Sequence, residues 1–183
     1  YLNAVRADRV KHVPDFSGND QESQKMPGMS SQTVSSERRY QINILDEQRD
    51  TSHAPVVMLD NPTYQNLIGR IEHRAEFGTM VTDYTQIRAG ALHRANGGYL
   101  IADARDMLAQ GLTWEALKRC LYNHEIKIEE PAQFYGLVST VSLEPEPIPL
   151  DVKVVLIGDE QLYQLLNAYD EDFSDYFKVK AEF

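Results

Sequence analysis

Two apolar runs in this sequence end in an aspartate: Leu100-Ile-Ala-Asp103 and Val155-Leu-Ile-Gly-Asp159. Each reads as a buried strand leading into a helix. In open α/β sheets ligands gather beyond the carboxyl ends of the strands, so both carboxylates are expected at one crevice. A strand-end aspartate offers the hard oxygen that Mg2+ takes, directly or through one of the waters that ion keeps. Helix capping explains the residue type equally well, because an aspartate just before a helix accepts from its first free amides. Spacing alone leaves both explanations open.

Other reactive residue types offer less. His12, His53, His73, His93 and His124 contain no pair at metal-ligand spacing, and no HExxH occurs. His93 falls on an expected helix, where packing or a surface position accounts for it. Ser30, Ser31, Ser35 and Ser36 lie in low-complexity surroundings without the glycines of a nucleophile elbow. Cys120 shares the apolar side of a helix with Leu117 and Leu121 and reads as core. No GxxxxGK[ST] phosphate loop is present. No catalytic residue is therefore assigned within these residues.

The elements that must position the two aspartates follow from pattern. Val5 and Val10 among alternating charges suggest that residues 1–13 are the end of a helix, stopped by Pro14 and Gly18. Residues 14–38, rich in Ser, Gln, Gly and Glu, read as a flexible, disordered loop. Tyr40, Ile42 and Ile44 alternate as a strand does, and 55–59 reads as a second, more buried strand. The stretch 61–86, with Pro62, Gly69 and Gly78, is expected to be mostly loop with a turn of helix. A helix is expected over 87–95, stopped by Asn96-Gly97-Gly98. A strand follows over 99–103, a short helix over 104–108, and a longer helix capped by Thr113 to about Asn123, with Glu115 as its first-turn acid. Short strands are expected at 126–128 and 138–143. The run 152–157 is the best candidate for a central strand. Helices over 160–168 and 172–176 and a last strand over 178–183 complete the reading. Strands alternating with helices indicate an α/β layered sheet.

Composition narrows the function. A length of 183 residues is enough for one domain with a real core. No apolar run approaches the roughly 18 residues of a membrane span, so no membrane partner is expected. With 28 acidic against 18 basic side chains, a net charge of −10 argues against nucleic acid as the main partner. A single cysteine excludes a disulfide framework and a cysteine zinc site. The chain starts without Met and without a signal-peptide pattern, and so reads as a piece of a larger soluble, cytoplasmic protein.

The string Ile87-Arg-Ala-Gly-Ala-Leu-His-Arg-Ala-Asn-Gly-Gly-Tyr-Leu-Ile-Ala-Asp-Ala-Arg-Asp-Met-Leu108 resembles the second nucleotide-binding motif of AAA+ ATPases. More narrowly, it is similar to the Lon-type ATP-dependent proteases of the B and C branches, in which a His–Arg–Ala–Asn helix leads into the Walker B strand. Residues 61–72, 143–158 and 172–183 extend the resemblance, which covers about Arg39 to Phe183.

The resemblance implies the later part of an AAA+ αβα sandwich with a mainly parallel sheet over 39–183. It implies that the phosphate-loop (Walker A) segment, the strand before it and the Ser–Lys protease domain lie elsewhere, so that the sheet shows a gap or an altered edge. Asp103 falls on the Walker B aspartate that holds Mg2+ on bound ATP, and Asp159 falls on the sensor-1 position. The loop after Gly69 falls on the axial pore loop, where Phe77 and Met80 would grip a substrate chain if they do not simply pack. The parent would form a hexameric ring, thread unfolded or damaged proteins and cleave them as a serine endopeptidase, while these residues alone would be inactive and bind ATP poorly. Departures are visible: Ala104 stands where the family has a water-polarising Glu, with Asp106 as a possible auxiliary acid. Phe177 and Lys178 stand where an arginine finger is expected. A non-hydrolysing ring and gating module, or a non-protease AAA+ remodeller, are the alternatives.

Overall fold

The computed structural model describes residues 6, 10, 42–45, 52–76, 79–129 and 143–182. By its contacts the chain divides into Tyr1–Asn43 and Ile44–Phe183. In the first unit Arg6 and Val10 are helical; the loop expected over 14–38 lies outside the described residues. All that follows, apart from Ile42 and Asn43, concerns the second unit.

Its elements in order are β1 (Val56–Leu59), α1 (Tyr64–Ile68), β2 (Gly69–Ile71), β3 (Arg74–Glu76), β4 (Thr79–Val81), a 3-10 turn at Tyr84–Gln86, β5 (Ile87–Ala89) and α2 (Ala91–Arg94). Then come β6 (Tyr99–Asp103), α3 (Ala104–Ala109), α4 (Gly111–Asn123), β7 (Glu125–Ile126), β8 (Ile148–Pro149), β9 (Lys153–Ile157), α5 (Glu160–Tyr169) and α6 (Phe173–Tyr176). The main sheet is parallel, in the order β1-β6-β9. Parallel strands need crossover connections, and helices supply them here: α1 and α2 between β1 and β6, α3 and α4 between β6 and β9. The result is the expected α/β architecture. Leu67, Leu92, Leu100, Met107 and Leu117 are fully excluded from solvent and join α1, α2, β6, α3 and α4 in one core.

Several local expectations are corrected. Among the described residues the best candidate for a central strand, 152–157, forms β9 at the flank, and β6 lies in the middle. The strand is not covered on both faces here: Val155 and Ile157 are 43% and 52% exposed. The helix expected over 87–95 is a strand, β5, followed by the single turn α2. Gly90 separates them, because a Cβ there would lie 2.3 Å from the Leu67 carbonyl oxygen. β5 pairs with β2, placing Gly69 opposite Ala89 and Ile71 opposite Ile87, so 61–86 holds short strands where loop was expected. Thr113 does not cap α4. That helix starts at Gly111 after Gln110, Thr113 is buried inside it, and Glu115 falls beyond its first turn. Ile42 and Ile44 are exposed and residues 42–45 form no strand. Residues 178–182 form no strand, and neither does Leu143; 138–142 lie outside the described residues.

Among the described residues no strand pairs with the outer side of β9. A cavity of about 890 Å3 lies there, walled by Val154–Ile157, by Leu162, Tyr163 and Leu166 of α5, by Phe173 and Phe177, and by 179–182.

Candidate functional site

β6 and β9 run side by side in parallel, with Asp103 opposite Ile157, so both expected aspartates sit at the same end of the sheet. Each caps the helix that follows. Asp103 Oδ1 accepts from the amides of Arg105 at 2.8 Å and Asp106 at 3.1 Å. Asp159 Oδ1 accepts from the Leu162 amide at 2.8 Å. Capping therefore accounts for one oxygen of each carboxylate. Asp103 Oδ2 makes no hydrogen bond among the described residues, whereas Asp159 Oδ2 accepts from Arg105 Nη2 at 2.6 Å. The Leu162 amide and then the Arg105 guanidinium hold the Asp159 carboxyl below the ordinary carboxylate range.

Arg105 was not singled out by the sequence. Its partner is 54 residues away, and only the parallel pairing of β6 with β9 brings them together. The one available signal was an arginine directly after a strand-end Asp-Ala. Asp106 lies exposed in the first turn of α3, tied to Asp103 through its amide. Ala104 is buried and lines the 890 Å3 cavity together with Gly158, Asp159 and Glu160. It offers no group that takes a proton. Phe177 is half-buried in an aromatic cluster, its ring centroid 5.1 Å from Phe173 and 6.0 Å from Trp114. Lys178 beside it is exposed. Of the two expected substrate-gripping residues, Met80 lies in β4, paired with Ala75 of β3, and Phe77 lies outside the described residues. His93 is buried in α2, where Nδ1 accepts from the Gly90 amide at 3.3 Å, and Cys120 is buried in α4.

No group of three or more His, Cys, Asp or Glu side chains that could hold a metal occurs among the described residues. A nucleotide-bound Mg2+ needs no such group, since it takes one or two carboxylates and fills its remaining positions with phosphate oxygens and water. The uncommitted oxygen of Asp103 at the end of the central strand fits that demand. No helix of the described residues is long and apolar enough to cross a membrane.

A three-strand parallel sheet with crossover helices and an aspartate ending its middle strand is consistent with the αβα fold of an AAA+ ATPase-type domain, a class that typically binds ATP with Mg2+. The family model described as LonB-like, AAA domain, matches residues 52–183, well over half of the chain. The chain belongs to that family, and the Lon-type resemblance read from residues 87–108 is thereby borne out. No curated protein matches the chain.

Proposed function

We propose that this chain is the later part of the AAA+ module of a Lon-like ATP-dependent serine protease, serving nucleotide binding, assembly of a hexameric ring and threading of unfolded proteins. The observation that carries the reading is the spare carboxylate oxygen of Asp103 at the end of β6, one strand from the capping Asp159. Asp103 would hold Mg2+ through water, and Asp159 stands at the sensor position. Bound Mg2+ would neutralise phosphate charge and polarise the γ-phosphate. Residues 69–83, with Phe77 and with Met80 in β4, would be the substrate-gripping segment. The Ser–Lys dyad that cleaves peptide bonds would belong to another part of the same protein. The strand that precedes the phosphate loop would fill the open side of β9. A reducing compartment, the cytoplasm, suits a single buried thiol.

Ala104 favours a second reading, a gate that assembles and admits substrate without hydrolysing ATP. A general base must be within reach of the attacking water, and Ala104 has none to offer. Degradation of a permanently unfolded protein by the intact protein separates the readings. Degradation that requires Mg·ATP and fails with a non-hydrolysable analogue supports the first. Equal degradation with and without nucleotide supports the gate. No degradation under any condition contradicts both and points to a remodeller without a protease.

A further inference from the structure

Arg105 sits at the second position of α3 and reaches across the strand ends to Asp159 on the neighbouring crossover. Stability gives little reason for this contact. The two side chains are 72% and 50% exposed, and an ion pair that open to solvent contributes almost nothing. Its geometry is informative in another way. Asp159 is fixed by its bond to the Leu162 amide, and it takes Arg105 through Nη2 alone. Arg105 Nε and Nη1 make no hydrogen bond among the described residues. A guanidinium carries five N–H donors in a rigid plane, so fixing one nitrogen orients the rest without occupying them. The guanidinium is thus held, with donors to spare, at the end of the sheet where Asp103 closes β6.

We propose that Arg105 binds a phosphate group of the nucleotide, with Asp159 as the residue that positions it. This rests on the nucleotide reading above. Forked N–H donors match phosphate oxygens, and a lone carboxylate at Asp159 would repel them, so the pair makes this acidic end of the sheet receptive to a polyphosphate.

The test is equilibrium binding of a fluorescent ATP analogue, with and without Mg2+, to the intact protein and its variants. The melting temperature of each variant is measured without nucleotide. Arg105→Ala is expected to weaken binding by about tenfold or more while leaving the nucleotide-free melting temperature within about 2 °C of wild type. Arg105→Lys should recover only part of the loss, because the charge returns without the fork. Arg105→Ala combined with Asp159→Asn should remain several-fold weaker than wild type. Full recovery in that double variant would overturn the proposal, since Arg105 would then only cancel the charge of Asp159. Unchanged binding in Arg105→Ala would overturn it as well. Asp103→Asn keeps the two failures apart. If Asp103→Asn weakens Mg-dependent binding and Arg105→Ala does not, the Arg105 assignment alone fails. If wild type does not bind, or Asp103→Asn binds as wild type does, the nucleotide reading fails and takes the assignment with it.

Discussion

Removing Asp170 should loosen the helical layer that walls the cavity, by an amount the local contacts set. Asp170 Oδ2 accepts from Trp114 Nε1 at 2.7 Å and from Lys118 Nζ at 3.1 Å, and Oδ1 accepts from the Asp172 amide at 3.2 Å. The Lys118 and Asp170 side chains are 12% and 15% exposed, so this pair is shielded as the Arg105 pair is not. Asp170→Ala leaves the indole N–H without its acceptor, at about 1–3 kcal/mol. Lys118 keeps Glu115 at 3.2 Å and Asp172 at 3.6 Å, so its charge is not stranded and the larger penalty of a broken buried pair does not apply. We expect a total loss of about 2–3 kcal/mol, which lowers the melting temperature by about 5–10 °C for a chain of this size. Asp170→Asn, which keeps an acceptor for Trp114, should lose about half as much. Burial opposes ionisation of Asp170, but the Trp114 N–H and the Lys118 ammonium outweigh it and hold the carboxyl below its ordinary value. A depressed folded-state pKa stabilises above the unfolded pKa of about 3.9, and that stability disappears as pH falls through the folded value. The gap between wild type and Asp170→Asn should therefore be full at pH 7 and shrink below about pH 4. The assay is unfolding followed by emission of Trp114, the single tryptophan of the chain. An Asp170→Ala variant as stable as wild type, or a gap that stays constant with pH, would show that the Trp114–Asp170–Lys118 contacts do not stabilise the fold.

Four further outcomes are expected. Asp103→Ala should cost about 1 kcal/mol of unfolding free energy through loss of the α3 cap, whereas Asp103→Asn, an equally good capping residue, should cost only a few tenths in the same denaturation assay. Gly98→Ala should cost about 3 kcal/mol, because its Cβ would fall 2.0 Å from the Pro55 carbonyl oxygen that accepts from Tyr99 and joins β1 to β6. Gly97→Ala has open space around it and a φ of +81°, so urea unfolding should show a loss of only about 1 kcal/mol. Burial pushes the Cys120 thiol up to about 11. Its labelling at pH 8 should accordingly be at least about a hundredfold slower in the folded chain than in denaturant, as followed by thiol-reagent absorbance.

The parts of this fold that were legible in the sequence are those where one residue run carries its own explanation. Leu100-Ile-Ala-Asp103 and Val154-Val-Leu-Ile157 are apolar, long enough for a strand, and end near residues that cap a helix, so β6, β9, α3 and α5 were all expected close to where they lie. The region 61–89 was not legible, because its three-residue strands carry no period and depend on the close approach of Gly69 and Gly90. The order of the sheet was not legible either, since an apolar run does not tell a flank from a centre. At the candidate site both aspartates were found from sequence as capping or metal-holding residues, and the structure has each capping with its Oδ1. Arg105 went unnoticed because its meaning is its contact with Asp159.

Whether the end of β6 is a nucleotide site is decided by Mg2+-dependent ATP binding by the intact protein, measured by titration calorimetry for wild type and Asp103→Asn. Wild type should bind in a Mg-dependent manner and Asp103→Asn at least about tenfold more weakly, with the fold and its melting temperature retained. Equal affinity in the two proteins, or wild-type binding indifferent to Mg2+, would contradict the claim that the end of β6 is a nucleotide site.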